Sequence, residues 1–228
     1  MTLDPYAARP AWRDYGRSDL PIPLAAALSA FADHGYHGTS VREIAGRAGL
    51  SVPGLYHHYP SKQSMLQGLL EMSMDDLLWR SEQSIAAAGP EPIDRLDAVV
   101  TTLLEFHMYR REQAFIGSSE IRSLDADYRP VYTAKRRRQQ QMVDEIVVDG
   151  AQRGVFVTGD PYDTGRAITT MCVGVSIWYR PDGRLSPDEL VDRWGRIARD
   201  TVGYVGDSTR PEITSPQIVR HRDQGDAP

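Results

Sequence analysis

Three residues between positions 39 and 62 have side chains suited to binding a phosphate group. Thr39 and Ser40 precede a short amphipathic segment, and hydroxyls beside the free N–H groups of a helix N-terminus suit a phosphate oxygen. Lys62 stands in the first turn of a later, long helical segment, where a cation and the helix dipole are both available. The sequence has no glycine-rich phosphate loop and no nucleophile elbow. The pattern therefore indicates binding to a polyanion rather than catalysis.

Two short helices joined by a tight turn would position these groups. The run Ser40-Val41-Arg42-Glu43 predicts a capping box that opens a helix to about Ala48, and Ser51 can cap a second helix that ends near His57. Between them, Ala48-Gly49-Leu50 has the length and the glycine of a helix-turn-helix connection. The second helix is too short to bury much surface, so most of it is free to enter a major groove.

The remaining sequence also predicts helices, which makes the expected fold class all-α. Apolar residues recur at helical spacing over residues 20–34, and no segment alternates as a strand would. Further helices are predicted over 61–88, 92–111, 113–124, 127–153, 161–180 and 187–204. We expect a flexible N-terminal arm (1–19), a three-helix helix-turn-helix domain that binds DNA (20–62), a C-terminal helical ligand-binding and dimerisation domain (63–205) and a disordered tail (206–228).

Composition and charge fit a DNA-binding protein of the cytoplasm. Hydrophobic residues make up 41% of the 228 residues, and no apolar run approaches the roughly 18 residues that a membrane span needs. Residues 1–62 hold six Lys and Arg against five Asp and Glu, whereas the whole chain has a formal charge of −5. The single cysteine, Cys172, lies in an apolar stretch and is expected to be buried. We expect no cofactor and no membrane partner.

One stretch of sequence carries a specific resemblance. The run from Phe31 to Ser51, followed by Gly54-Leu55-Tyr56-His57-His58-Tyr59-Pro60-Ser61-Lys62, resembles the N-terminal signature of the tetracycline-repressor (TetR) family of bacterial transcription regulators. The resemblance implies a homodimer that binds a palindromic double-stranded DNA operator, usually represses, and responds to a small molecule through its C-terminal domain. Dimerisation is required because two recognition helices must meet successive major grooves about 34 Å apart.

The same resemblance suggests which side chains meet DNA. Tyr56 and His58 match family positions that contact the DNA backbone. Val52 offers no hydrogen bond but can pack on a thymine methyl group, and Gly54 lets the backbone approach closely. Hydrogen bonds to bases are therefore expected from Arg42, Ser51 and His57. The surface matched to base recognition consists of Ser51, Val52, Pro53, Gly54 and His57.

A second resemblance concerns the effector. The segments Ser119–Asp125, Tyr128-Arg129-Pro130 and Trp178–Glu189 are similar to a branch of the family that controls fatty-acid or steroid breakdown and responds to acyl-CoA thioesters. An acyl chain or steroid needs an apolar cavity, and CoA brings phosphates that arginine can bind. The predicted ligand-binding residues are Trp79, Leu103, Phe106, Phe115, Arg122, Met171 and Trp178, with Arg110, Arg111 and the run Lys135–Arg138 as further phosphate partners.

The last two predicted helices indicate a dimerisation surface. Each has an apolar face, and two such helices from each subunit can form a four-helix bundle. The residues expected there are Thr170, Val173, Ile177, Trp194 and Ile197.

Several alternatives remain open at this point. Large apolar residues at helical spacing are also typical of plain core, and a basic run such as Lys135–Arg138 is also typical of a solvated surface. Arg9, Arg13 and Arg17 either form an arm in the minor groove or belong to a solvated tail. An enzyme with a helical acyl-CoA pocket, or a ligand-binding protein whose DNA-binding domain has decayed, is the competing function. The sequence predicts no metal site, because the histidines have no carboxylate or cysteine at ligand spacing.

Overall fold

The computed structural model describes residues 11–16, 20–204 and 206, and every regular element in them is helical, which confirms the all-α fold. A 3₁₀ turn at Ala11–Arg13 precedes the first α-helix, and another at Glu120–Ser123 follows the sixth. None of the described helices combines the length and the apolar character that a membrane crossing requires. The α-helices are α1 (Ile22–Gly38), α2 (Val41–Ala48), α3 (Val52–His58), α4 (Lys62–Ala87), α5 (Pro92–Tyr109), α6 (Arg111–Ser119), α7 (Arg129–Gln152), α8 (Pro161–Val173), α9 (Val175–Trp178) and α10 (Pro187–Thr201).

Helices α1 to α3 form the helix-turn-helix end of the molecule. Leu24 and Phe31 of α1, Ile44 of α2 and Leu55 of α3 are buried in the same apolar core. Gly49 ends α2 with φ 67°, a left-handed conformation that glycine adopts without steric cost. The turn between α2 and α3 is therefore as short as the sequence predicts.

The first helix continues one turn beyond its predicted end. Gly35 takes φ 70° and ψ 166°, which interrupts the regular helix at the expected glycine, and one further turn then runs to Gly38. The peptide N–H of Tyr36 donates to the carboxylate of Glu120, 84 positions further along the chain, at 3.3 Å.

Serine side chains begin α2, α3 and α4, as the sequence predicts. Ser40 and Ser51 each accept a hydrogen bond from the backbone N–H three residues later, both at 3.1 Å. The reciprocal half of the expected capping box at Ser40 is absent, because the Glu43 carboxylate instead binds Arg47 at 2.7 Å. Ser61 forms a complete box with Ser64 at the start of α4.

The remaining helices form the larger domain around α5. Helix α4 is 26 residues long and carries the chain from the helix-turn-helix end into this domain. Helix α5 contacts α4, α7, α8 and α10, and it buries Leu96, Leu103 and Leu104 almost completely. Because four of the long helices pack against it, α5 is the central helix of the domain.

Three predicted helices are divided differently in the structure. Residues 92–111 and 113–124 become α5, α6 and a 3₁₀ turn, with the break at Arg110 (φ −109°, ψ 35°). The helix expected over 161–180 is interrupted at Gly174, where Ile177 N donates back to Gly174 O at 3.1 Å in a tighter turn. Arg111 Nε donates to Ser176 O at 3.1 Å across this region, a contact that no local sequence pattern encodes.

The N-terminal strap, residues 11–16, differs most from expectation. Arg80 of α4 donates from Nη1 to Trp12 O at 2.7 Å and to Asp14 O at 3.0 Å. Tyr15 stacks on Tyr109 with 5.0 Å between ring centroids. The prediction of a flexible arm or minor-groove arm is therefore wrong for the strap, because its backbone and side chains are bound to α4 and α5.

Two other expectations fall on residues that are not described. Arg9 and Arg17, the other arginines of the predicted arm, lie outside the described residues, as does the predicted tail apart from Gly206.

Candidate functional site

Helix α3 presents a small, exposed surface. Leu55 is fully buried and anchors the helix, whereas Tyr56 is 44% exposed and His57 and His58 are exposed. A Cβ on Gly54 would lie 3.2 Å from Ser51 Oγ, so glycine here leaves room for the N-terminal cap. The predicted recognition residues thus share one accessible helix, in which Val52 and Gly54 are half-buried and Ser51 and Pro53 are exposed.

The neighbouring helix α2 adds one unpaired arginine. Arg42 is exposed and makes no hydrogen bond or ion pair with any other described residue. Arg47 is engaged, because its guanidinium binds Asp33 at 2.6 Å and Glu43 at 2.7 Å. Ser40 keeps its hydroxyl proton available, since its oxygen accepts from Glu43 N. Arg42 of α2 and Ser40, its N-cap residue, are therefore exposed with hydrogen-bond donors available.

Thr39 does not face solvent. Only 3% of its surface is exposed, and its Oγ1 donates inward, lying 2.8 Å from Gly35 O and 3.0 Å from Ala30 O. The prediction that this hydroxyl meets a phosphate is wrong, because the hydroxyl instead satisfies carbonyls where Gly35 interrupts α1. Thr39 is a structural residue of the turn that leads into α2.

Lys62 also points into the protein. Its Nζ donates to Tyr36 O at 2.6 Å and to Thr39 O at 2.8 Å, and it lies 4.3 Å from the centre of the Tyr36 ring. Burial of the ammonium group lowers the pKa of Lys62 from its ordinary value. The sequence predicts that Lys62 is free to contact a DNA phosphate. Instead, its hydrogen bonds join the start of α4 to the turn between α1 and α2.

The joint segment, residues 111–123, comprises α6 and the 3₁₀ turn after it and binds the end of α1. Glu120 Oε1 accepts from Tyr36 N at 3.3 Å, and Glu120 Oε2 accepts from Ser123 Oγ at 2.7 Å. In the amide orientation that satisfies its neighbours, Gln63 donates to Tyr36 Oη at 2.8 Å and to Ser123 O at 3.1 Å. The joint segment thus reaches both α1 and α4.

A cavity of about 320 Å³ lies between α4, α5, α6, α7 and α8. This volume is in the range of small-molecule sites. Of the predicted ligand-binding residues, Leu103 and Phe106 line it. The other lining residues are Ser73, Met74, Leu77, His107, Gln113, Ala114, Gly117, Ser118, Ile121, Tyr132, Thr133, Arg136, Arg137, Gln139, Gln140, Arg166, Thr169 and Val173.

Five predicted ligand-binding residues lie away from this cavity. Trp79, Phe115 and Trp178 are each more than 40% exposed, and Trp178 packs against Trp194 with 5.2 Å between ring centroids. Arg122 is exposed on the 3₁₀ turn and Met171 is half-buried. Helical periodicity identified apolar faces but not which face encloses the cavity, so these five assignments are wrong for this cavity.

Sequence reasoning missed most polar residues of the cavity, including the buried His107, Tyr132 and Gln139. Burial lowers the pKa of His107 to about 4, and its Nδ1 lies 2.6 Å from Leu103 O, so Nδ1 carries the proton and the ring is neutral. Tyr132 Oη donates to Gly117 O at 2.9 Å, and burial raises its pKa to about 12. Gln139 is buried on α7. A polar residue on an otherwise apolar face of a predicted helix is the sequence signal that could have identified them.

The basic run on α7 divides between the cavity and the surface. Lys135 pairs with Asp75 and lies 3.6 Å from Glu71, and Arg138 pairs with Glu145 at 3.5 Å. Arg136 and Arg137, between them, line the cavity. With Arg166 of α8 they place three exposed arginines at the rim, and none of the three is ion-paired to a described residue. This agrees with the expectation that a helix turns only part of such a run toward a ligand.

The predicted dimerisation residues lie near the C-terminal end. Ile177 is 64% exposed and Ile197 is 44% exposed, Thr170 is exposed, and Trp194 is half-buried against Trp178. We call Ile177, Trp178, Trp194 and Ile197 the C-terminal apolar patch. Val173 instead lines the cavity. The patch thus combines two tryptophan rings in contact, tilted by 36°, with two exposed isoleucines.

These features define a class of protein: a helix-turn-helix with an exposed second helix, joined to a helical domain with a ligand-sized cavity. Residues 24–69 match the family described as bacterial regulatory proteins, tetR family. Residues 89–202 match the family described as tetracyclin repressor-like, C-terminal domain. The chain belongs to the TetR family.

Individual relatives agree with this assignment. The HTH-type transcriptional repressor KstR2 of Mycobacterium tuberculosis H37Rv is 31% identical over 171 residues, 74% of this chain and 84% of that protein. The HTH-type transcriptional activator FasR of Mycolicibacterium smegmatis is 36% identical over 196 residues, 82% and 84% of the two chains. The solved structure of the ketosteroid transcriptional regulator KstR2 of Mycobacterium tuberculosis superposes with a TM-score of 0.74 at 26% identity, covering 82% and 97%. Such relatives identify the chain as a transcriptional regulator and not an enzyme.

Proposed function

We propose that this chain is a homodimeric, cytoplasmic repressor that leaves a palindromic operator when an acyl-CoA thioester enters the cavity between α4 and α8. One observation carries the proposal. The joint segment contributes Ala114, Gly117 and Ile121 to the cavity and, on its other side, binds Tyr36 of α1 through Glu120. A ligand that displaces this segment therefore acts directly on the helix-turn-helix.

DNA binding is assigned to the exposed surface of α2 and α3. Ser40 and Tyr56 have accessible hydroxyls for phosphate oxygens, and His58 is exposed at the end of α3. Thr39 and Lys62 act as positioning residues, because they hold the turn that leads into α2. Base recognition is assigned to Arg42, Ser51, Val52, Pro53, Gly54 and His57.

The cavity has the two chemical environments that an acyl-CoA requires. Leu77, Leu103 and Phe106 supply buried apolar walls for an acyl group. Arg136 and Arg137, with Arg166, stand at the exposed rim, where the phosphates of CoA would remain partly in water. The description of the relative KstR2 as a ketosteroid transcriptional regulator supports a ligand from lipid metabolism.

Release from DNA follows from a change in the distance between two recognition helices. In a dimer each α3 must meet a major groove about 34 Å from the other. The hydrogen bond between Tyr36 and Glu120 couples the joint segment to the helix-turn-helix domain. The hydrogen bonds from Lys62 to Tyr36 O and Thr39 O couple α4 to the same domain. A tilt of α6 or α4 would change the orientation of α3 and thereby weaken operator binding.

The test measures operator affinity by fluorescence anisotropy, using a palindromic duplex from the region upstream of the chain's own gene and a random duplex as control. We expect salt-sensitive preference for the palindrome and a weakening of roughly tenfold or more with octanoyl-CoA but not with free CoA. Equal affinity for both duplexes would overturn the assignment as an operator-binding regulator. An operator affinity that no acyl-CoA changes would overturn the effector class.

A matched pair of variants tests the arginine rim. Arg136→Gln combined with Arg137→Gln should leave operator affinity without ligand unchanged and raise the octanoyl-CoA concentration needed for release by roughly tenfold. Arg138→Gln is the control, because Arg138 belongs to the same run but pairs with Glu145 outside the cavity. Identical responses of the two variants would mean that the rim does not bind the CoA phosphates.

A further inference from the structure

Two side chains of the cavity have unsatisfied hydrogen-bonding groups. Gln139 is 4% exposed, and neither its Oε1 nor its Nε2 has a partner within the described part of the chain. Thr169 Oγ1 is buried and lacks a described partner in the same way. Both residues line the cavity, from α7 and α8 respectively. A buried polar atom without a partner is costly, so two such residues in one cavity require an explanation.

The interior around these groups is polar but electrically neutral. His107 is uncharged and gives its Nδ1 proton to Leu103 O, so its Nε2 presents a lone pair. Tyr132 gives its proton to Gly117 O, which leaves its hydroxyl oxygen as an acceptor. No Asp or Glu is among the described residues that line the cavity, and its arginines are exposed at the rim. A charged group at the buried end of a ligand would therefore have no counter-ion.

A plain hydrocarbon end would not satisfy this interior either. It would displace water from Gln139 and Thr169 and leave their buried donors and acceptors unpaired. A neutral oxygen can accept from Gln139 Nε2 and Thr169 Oγ1, and a hydroxyl can also donate to Gln139 Oε1. These are the partners that the two side chains lack.

We propose that the effector carries a neutral oxygen function, a hydroxyl or ketone, at its buried end, and that Gln139 and Thr169 recognise it. The inference rests on the proposed function in one respect, that this cavity is the effector site. It adds that the regulator distinguishes an oxygenated ligand from an unmodified acyl chain of equal length. A site built around such a hydrogen bond discriminates strongly, because the wrong ligand leaves buried groups unpaired.

The first test compares two series of probes by isothermal titration calorimetry on the full chain without DNA. One series is hexanoyl-, octanoyl- and decanoyl-CoA, and the other is the same thioesters with a terminal hydroxyl. We expect the hydroxylated thioester to bind roughly tenfold more tightly at one or more chain lengths. Gln139→Leu should abolish or reverse this preference. Equal affinities at every length, unchanged by Gln139→Leu, would overturn the proposal.

The second test does not depend on the identity of the ligand. If the amide of Gln139 is unpaired without effector, Gln139→Leu should keep or raise the melting temperature of the unliganded protein. The matched control is Gln141→Leu, the same change at an exposed position of α7 outside the cavity. A clear loss of stability in Gln139→Leu, compared with Gln141→Leu, would show that the amide has a structural partner and would overturn the proposal.

The two tests separate this inference from the proposed function. If neither thioester series binds, the acyl-CoA effector is overturned. The melting temperatures would still decide whether the Gln139 amide lacks a partner in the unliganded protein. A hydroxyl preference in calorimetry, without any effect on operator affinity, would support recognition by Gln139 and contradict release from DNA.

Discussion

Arg13 binds Glu105, which is 92 positions further along the chain. Its Nε lies 3.0 Å from Oε1 and 3.2 Å from Oε2, and Nη2 also contacts Oε1. The Glu105 side chain is 1% exposed, and the hydrogen bond to its carboxylate raises the pKa of Arg13. The next two residues of α5, Phe106 and His107, line the cavity. The strap that precedes the helix-turn-helix is therefore fixed to the helix at the centre of the ligand domain.

This ion pair leads to a stability prediction. Arg13→Ala leaves the buried carboxylate of Glu105 without its cation, and we expect the free energy of unfolding to fall by about 2 kcal/mol, less than for a fully buried pair because Arg13 is partly exposed. Urea denaturation of the full chain measures this change. Arg13→Ala combined with Glu105→Gln should recover most of the loss, since the uncompensated charge is gone. A single variant as stable as the parent would contradict the anchoring of the strap.

Lys62→Met tests whether this lysine positions the helix-turn-helix or only attracts phosphate. Because Lys62 Nζ binds Tyr36 O and Thr39 O, we expect a loss of about 1 kcal/mol in the free energy of unfolding together with weaker operator binding. Arg42→Met, at an exposed residue assigned to base recognition, should leave stability unchanged and reduce the preference for the operator over a random duplex. If Lys62→Met behaves like Arg42→Met, the positioning role is refuted.

His107 predicts a pH dependence of stability. Its pKa is about 4 in the folded protein against an ordinary 6.5, so between these values the unfolded chain binds a proton that the folded chain does not. The contribution is complete above pH 6.5 and is lost as the pH falls toward 4, by about 2 to 3 kcal/mol.

The measurement is the urea midpoint at several pH values in this window. His107→Asn retains a donor toward Leu103 O but has no group that titrates there, so its stability should depend less on pH. Parallel pH profiles for the two proteins would rule out His107 as the cause.

The C-terminal apolar patch makes a prediction about assembly. Ile197→Glu places a charge among exposed apolar side chains, so we expect the dimer to dissociate at concentrations where the parent remains dimeric, and operator affinity to fall with it. Sedimentation equilibrium measures the first effect and fluorescence anisotropy the second. Val131→Glu, at an exposed residue of α7 outside the patch, is the control. A dimer as stable in Ile197→Glu as in the control would place the interface elsewhere.

The sequence by itself determined the features that depend on neighbouring residues. Serine caps at positions 40, 51 and 61 begin α2, α3 and α4, and Gly49 ends α2 in a left-handed conformation. These signals act over three or four residues, because a helix terminus is satisfied by the nearest side chain. The helix-turn-helix and the all-α fold were therefore predictable, as was the family.

Only the tertiary structure decided where individual side chains point. Thr39 and Lys62 matched positions suited to phosphate, yet carbonyl oxygens at the end of α1 bind both of them. Periodicity could not separate Phe106, which lines the cavity, from Trp79, which is exposed, because both belong to helices with several apolar positions. The strap, the cavity and the unpaired amide of Gln139 arise from contacts between residues far apart in the chain, and a local pattern carries no information about such contacts.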